Sequence, residues 1–181
     1  MHRIEFKSTS TPFQFLTAFI MLLLAATVPV VAQESDTEAV IFILVRHAET
    51  EPDGTRDAPL STTGETRAAA LKALLSSQPI KGVYSTDYKR TKGTAQPLAE
   101  AKSLSVETYH PFDDKNFLNS LIEKHTGQTV LVAGHSNTIP VMVNLLIGEE
   151  KFEALDHSDY GNIFIVTATK TGNGTLVRLR Y

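Results

Sequence analysis

Two histidines in this sequence follow directly on apolar runs. Arg46-His47-Ala48-Glu49-Thr50 ends one such run, and Gly134-His135-Ser136-Asn137-Thr138 ends another. A third segment, Ser85-Thr86-Asp87-Tyr88-Lys89-Arg90, places an arginine just after a short strand-like stretch. Two imidazoles and two guanidinium groups brought to one place would form a cationic pocket. Arginine's planar fork matches a phosphoryl group bidentately, and a neutral imidazole of fixed tautomer is a competent nucleophile. The chemistry that fits is phosphoryl transfer through a phosphohistidine. Its transition state spreads negative charge over three equatorial oxygens, which Arg46, Arg90 and a protonated His135 can each cap. Such a site has no need of magnesium, because the arginines take its electrostatic role, so no metal or cofactor is expected.

The elements around these residues are legible as alternating strand and helix. Residues 39–45 and 129–133 are continuous apolar runs of the kind that strands buried on both faces require. Residues 82–85 read as a short strand and 106–109 as a weak one. Thr62-Thr63-Gly64-Glu65 has capping-box spacing ahead of Ala68, Leu71, Leu74 and Leu75 at helical intervals. Asp87 is positioned to cap a helix running to about Ala101. Residues 117–122 belong to another amphipathic helix, and 138–147 are helical with Pro140 tolerable in the first turn. Residues 162–169 and 175–181 read as a closing hairpin over Thr171-Gly172-Asn173-Gly174. The order βαβαβαβαββ predicts a three-layer α/β/α fold: a mainly parallel sheet with an antiparallel edge. Ligands in such sheets bind beyond the carboxyl ends of the strands, where both histidines fall.

Composition narrows the classes further. The chain has 181 residues, 17 basic and 20 acidic side chains, and no cysteine. Disulfide frameworks, thiolate metal sites and cysteine nucleophiles are excluded. A net charge of −3 gives no general attraction to nucleic acid. Residues 1–32 carry a basic start with Arg3 and Lys7, an apolar core through Leu22-Leu23-Leu24, and the small-residue end Val30-Val31-Ala32. This predicts a secretory signal peptide cleaved after Ala32, a single mature domain over 33–181, and an exported protein, periplasmic or secreted, with no stable membrane insertion. An uncleaved anchor is the alternative, since residues 13–32 are enough to span about 30 Å of hydrocarbon.

Four blocks in order carry a family likeness. Arg46-His47-Ala48-Glu49-Thr50, Asp57-Ala58-Pro59-Leu60-Ser61-Thr62-Thr63-Gly64, Tyr84 through Ala95 and Gly134-His135-Ser136-Asn137 together resemble the histidine phosphatase superfamily, in its phosphoglycerate mutase-like branch. The resemblance implies a phosphoglycerate mutase-like fold and metal independence. It also implies His47 as phosphate acceptor, Arg46 and Arg90 as phosphate ligands, and His135 as stabiliser of the transferred group. Ala48 stands where the family usually has glycine, and Pro52-Asp53 replaces a commonly found asparagine. Arg56 is a candidate extra cation. The family's general acid lies between the second arginine and second histidine, where the candidates are Glu107, Asp113 and Asp114; position relative to Pro111 favours Asp113.

The expected activity is hydrolysis of a small phosphorylated substrate. Only 44 residues separate Arg90 from His135, too few for the lid a mutase needs. Two alternatives remain: a protein phosphohistidine phosphatase, whose nitrogen leaving group needs less acid catalysis, and a non-catalytic phosphate-binding envelope protein. His47-Ala48-Glu49 has the His-x-Glu form of zinc deaminases but lacks their cysteines. Gly134-His135-Ser136-Asn137-Thr138 misses the last glycine of a nucleophile elbow, so Ser136 and Asn137 are expected to start a helix or hold His135. His110, His125 and His157 lack cationic company and are expected to be exposed.

Overall fold

A computed structural model describes residue 2 and residues 38–181. The expected signal peptide falls almost entirely outside the described residues. Ten elements alternate along the chain: β1 (Val40–Arg46), α1 (Thr62–Leu75), β2 (Ile80–Thr86), α2 (Lys89–Ala101), β3 (Val106–Tyr109), α3 (Asp114–Lys124), β4 (Thr129–Gly134), α4 (Thr138–Ile147), β5 (Asn162–Ala168) and β6 (Thr175–Arg180). The expected order is the observed one.

The strands form one six-stranded sheet in the order β3-β2-β4-β1-β5-β6. Pairing is parallel from β3 through β1, and antiparallel from β1 to β5 and from β5 to β6. The alternation of side chains along each strand divides the core in two. Phe42, Leu44, Val130, Val132 and Phe164 face α3 and α4, meeting Leu118, Leu121, Ile139 and Met142. Ile43, Val45, Leu131 and Ala133 face α1 and α2, meeting Leu71, Leu75, Ala95 and Leu98. Both faces of the central strands are therefore covered, which is why β1 and β4 read as unbroken apolar runs. Phe42 and Phe164 are wholly buried, each contributing about 1.5–3 kcal/mol by removal from water.

Helix starts differ from expectation in two places. The first helix is capped by Ser61, whose Oγ accepts from the Gly64 N–H at 3.2 Å, rather than by a box built on Thr62. Asp87 does not cap α2; its carboxylate pairs with Lys92, and Tyr88 occupies the cap position without a side-chain bond. Gly64 lies so close to the Glu49 carbonyl that a Cβ there would overlap it, so α1 docks tightly on the segment after His47. His125 is also not exposed. It is 4 % accessible, its Nε2 lies 2.7 Å from the Tyr84 hydroxyl and its Nδ1 2.8 Å from Gln128 Oε1. Two hydrogen-bond partners satisfy both ring nitrogens of the buried imidazole. Among the described residues, no helix is long and apolar enough to cross a membrane.

Candidate active site

Register brings the two histidines together. Arg46 on β1 pairs with Gly134 on β4, so His47 and His135 leave the sheet side by side at its carboxyl edge. The His47 N–H donates to the Gly134 carbonyl at 2.9 Å, and the two ring centroids are 5.5 Å apart in an edge-to-face arrangement. The next strand across, β2, delivers α2 to the same edge, and Arg90 in its first turn brings Nη2 to 3.4 Å from His135 Nδ1. A cleft of about 480 Å³ opens here, lined by Arg46, His47, Arg56, Arg90 and His135 among others.

The tautomer of His47 follows from its partner. Nδ1 lies 2.8 Å from the Ala48 carbonyl, which can only accept, so Nδ1 carries the proton and Nε2 keeps its lone pair. Ala48 is held in turn by Thr94 on α2, whose Oγ1 accepts from the Ala48 N–H at 2.9 Å and donates to the Arg90 carbonyl at 2.8 Å. Burial pushes the His47 pKa down to about 3; the Ala48 bond opposes this, while Arg46, Arg90 and His135 add to it. The ring is neutral across the physiological range, with Nε2 free to accept.

His135 has the complementary arrangement. A guanidinium has only donors, so the Nδ1 facing Arg90 is the accepting nitrogen and Nε2 carries the proton. Nε2 lies 2.9 Å from Thr86 Oγ1, which lies 2.9 Å from Thr91 Oγ1, which reaches the Thr86 carbonyl at 2.9 Å. Each hydroxyl in this relay accepts one proton and passes on its own. Burial, then Arg90 and Arg46, lower the His135 pKa to about 4. A second proton at Nδ1 therefore needs an anion beside it.

The cations are braced from behind. Arg46 is 3 % exposed; its Nη1 donates to the Asp156 and Asp159 carbonyls at 2.8 and 3.1 Å, and its guanidinium lies 3.9 Å from the centroid of Tyr160. Its buried Nε has no partner. Arg90 lies over the Tyr88 ring at 4.4 Å, and its Nη1 donates to the Arg56 carbonyl at 2.7 Å. Glu49 receives three bonds from Arg67, at 2.6 to 3.0 Å, which hold its carboxyl below the usual range.

The three acid candidates lie elsewhere. Asp113, the residue favoured from sequence, lines a separate cavity with Glu107 and accepts from Asn116 Nδ2 at 2.8 Å. Glu107 pairs with Lys124, its carboxylate oxygens 2.9 and 3.0 Å from Nζ. Asp114 is buried, which raises its pKa, with Asp113 adding to the shift. The reason is local: Asp113 sits at the start of α3, turned toward β3 and away from the cleft. Among the described residues, no carboxylate lines the cleft.

Several lining residues were not anticipated. Tyr88, Tyr160, Phe112 and His157 all border the cleft. Exposure of His157 agrees with expectation, but its place at the cleft mouth does not follow from its sequence neighbours. Tyr88 and Thr91 lie inside a motif block and could have been read from it. His157 and Tyr160 lie in the irregular stretch between α4 and β5, which has no periodicity to place it. Ser136 and Asn137 line the cleft; Asn137 precedes α4 without a side-chain cap bond.

The family model described as histidine phosphatase superfamily (branch 1) matches residues 42–118, taking in Arg46, His47 and Arg90. Phosphoserine phosphatase 1 of Hydrogenobacter thermophilus is 42 % identical over 71 residues, covering 36 % of this chain and 34 % of that protein. The histidine phosphatase superfamily is the family these matches support. A probable phosphoglycerate mutase, GpmB of Serratia proteamaculans, is 42 % identical over 69 residues, covering 35 % of this chain and 32 % of that protein. The chain thus spans about a third of the length of the curated relatives it matches. The fold of the superfamily is matched more widely. The protein histidine phosphatase SixA complexed with tungstate superposes with a TM-score of 0.65 at 20 % identity, covering 77 % of this chain and 96 % of that one. A phosphoserine phosphatase from Entamoeba histolytica gives 0.64 at 15 %, covering 78 % and 97 %.

Proposed function

We propose that this protein is a phosphatase that hydrolyses phosphate monoesters through a phosphohistidine on His47. The observation that carries the reading is the pairing of a neutral His47, its Nε2 unprotonated, with His135 at 5.5 Å between two arginines. The phosphoryl group docks on Arg46, whose unpartnered buried Nε is a donor in want of an acceptor, and on Arg90. His47 Nε2 attacks phosphorus in line, and the bond to the leaving group breaks with its electron pair. The bound anion raises the pKa of His135, which takes a proton at Nδ1 from solvent or from the phosphate monoanion. It donates that proton in a hydrogen bond to an equatorial oxygen, while its Nε2–H stays on Thr86. Water then attacks phosphorus, its proton passing to the departing phosphate or to solvent, and the P–N electron pair returns to His47.

Hydrolysis rather than mutase chemistry is supported by the short connections between α2, β3, α3 and β4, residues 102–105, 110–113 and 125–128. None is long enough to shut water out of the cleft. The lack of a lining carboxylate favours a second reading, in which the natural substrate is a phosphohistidine and its nitrogen leaving group needs little acid assistance. The basic start and apolar run of residues 1–32 support an exported enzyme acting outside the cytoplasm.

A phosphomonoester panel on the purified chain, with His47→Ala as control, tests the proposal. Turnover of at least one phosphate ester and an acid-labile, base-stable phosphoprotein are expected for the parent, and neither for the variant. Undiminished turnover by His47→Ala would refute the nucleophile assignment.

A further inference from the structure

Phe112 stands out from every other large apolar residue in the described chain. It is 78 % exposed, well above the next such residue, Val177 at 52 %. Its backbone φ is +79°, in the left-handed region. It follows Pro111 in the turn between β3 and α3, at the corner position that normally goes to glycine or asparagine. A bulky side chain there is strained and, without core contacts, gains little from the fold itself. Glycine would suit the backbone better and remove apolar surface from water. The side chain does border one thing: the cleft, which Pro111, Tyr88 and His135 also line. Tyr88 presents its ring edge-on to His135 at 5.1 Å, so the cleft has aromatic surface near the reacting group as well as at its mouth.

We propose that Phe112 is a leaving-group platform, and that the substrates are phosphoryl compounds whose leaving group is a planar ring, either an aryl ester or an N-phosphorylated heteroaromatic. This rests on the hydrolase reading above and narrows it. A ring stacked on Phe112 buries the exposed face that the free protein leaves in water. A phenol departs as phenolate, and a phosphorylated imidazole, protonated by solvent at its other ring nitrogen, departs as neutral imidazole. Neither needs an acid in the cleft wall, which suits one without a carboxylate. In the transfer step the P–O or P–N bond breaks, the pair leaving with the ring, as the bond from phosphorus to His47 Nε2 forms. Water cleaves that bond in the second step, releasing phosphate and returning the pair to His47.

The test compares the parent chain with Phe112→Ala and Phe112→Tyr. Phenyl phosphate and phosphoimidazole serve as ring substrates, and acetyl phosphate as a good leaving group without a ring. Phe112→Ala should lower kcat/KM about tenfold on the ring substrates and leave acetyl phosphate within about twofold, whereas Phe112→Tyr should restore the ring preference. A loss confined to phenyl phosphate or to phosphoimidazole upholds the platform and says which ring class it serves. Binding of phenylphosphonate against methylphosphonate reads the same contact without turnover, so a failed hydrolase reading leaves the platform testable. Equal losses with and without a ring, or unchanged binding of phenylphosphonate by Phe112→Ala, would overturn the inference. Thermal melts of both variants should match the parent, since the exposed side chain contributes nothing to the core and both replacements keep a Cβ at the same positive φ.

Discussion

His47 and His135 are chemically the same side chain given opposite tasks by their hydrogen bonds. The Ala48 carbonyl takes the Nδ1 proton of one, and the Thr86 hydroxyl takes the Nε2 proton of the other. One ring is thereby left with a free lone pair, and the other with a nitrogen ready to accept a proton once an anion arrives. Arg90 links the two roles, since it approaches His135 directly and helps keep His47 neutral. Removing a donor aimed at the transferring oxygens typically costs 10²–10³ in rate. His135→Ala and Arg90→Ala should each lower kcat by about that factor, read in steady-state assays with phenyl phosphate. Asp113→Asn should stay within about twofold on alkyl and aryl esters alike, because Asp113 faces a different cavity. A selective loss on alkyl esters would return Asp113 to the acid role, through a movement of the Pro111–Asp113 turn.

At the scale of elements, the placement of His47 depends on a helix to which it does not belong. Through Arg90, Thr91 and Thr94, α2 touches the cationic cleft, the His135 relay and the Ala48 peptide. Thr94→Val keeps the shape of that side chain but leaves the buried Ala48 N–H without an acceptor, at a cost of about 1–3 kcal/mol. Denaturant unfolding should show that loss, and kcat should fall while KM changes little, because His47 rather than the arginines is displaced. Thr94→Ser should recover both. This dependence also explains what was and was not legible in the sequence. The buried strands announced themselves as apolar runs, and because Arg46, His47, Gly134 and His135 are contiguous with those runs, their meeting followed from parallel topology. Asp87 and Thr62 were misplaced as caps because capping patterns tolerate a one-residue shift: Ser61 lies one position earlier, and Lys92 competes for Asp87. Asp113 lies outside the cleft, against expectation, for a different reason. Position along the chain says that Asp113 starts a helix, but not toward which side of the turn its carboxylate points.

For the molecule as a whole, the site is a source of acid sensitivity. Folding holds His47 at about 3 and His135 at about 4, against an ordinary value near 6.5 in the unfolded chain. Between those limits the unfolded chain binds protons that the native state refuses, so native stability rises with pH from about 4 to 6.5 and declines as the medium is acidified. Glu49, held low by Arg67, acts in the same direction below the ordinary carboxylate value, since its pairing is lost as it protonates. Above about pH 5 the histidines act alone, and below it, down to about 3–4, they act together with the carboxylate. Melting temperature measured across this range should therefore rise toward neutrality in the parent chain. In His47→Gln the rise should be shallower from about pH 6.5 down to about 3, with His135 and Glu49 supplying what slope remains. Vanadate or phosphate should shrink the same rise in the parent, because a bound anion raises the pKa of His135 and lets the folded state take up the proton it otherwise excludes. If the slope above pH 5 is the same in His47→Gln as in the parent, and indifferent to oxyanions, the pocket is not what couples folding to protons, and its histidines are more exposed to solvent than their 5.5 Å approach implies.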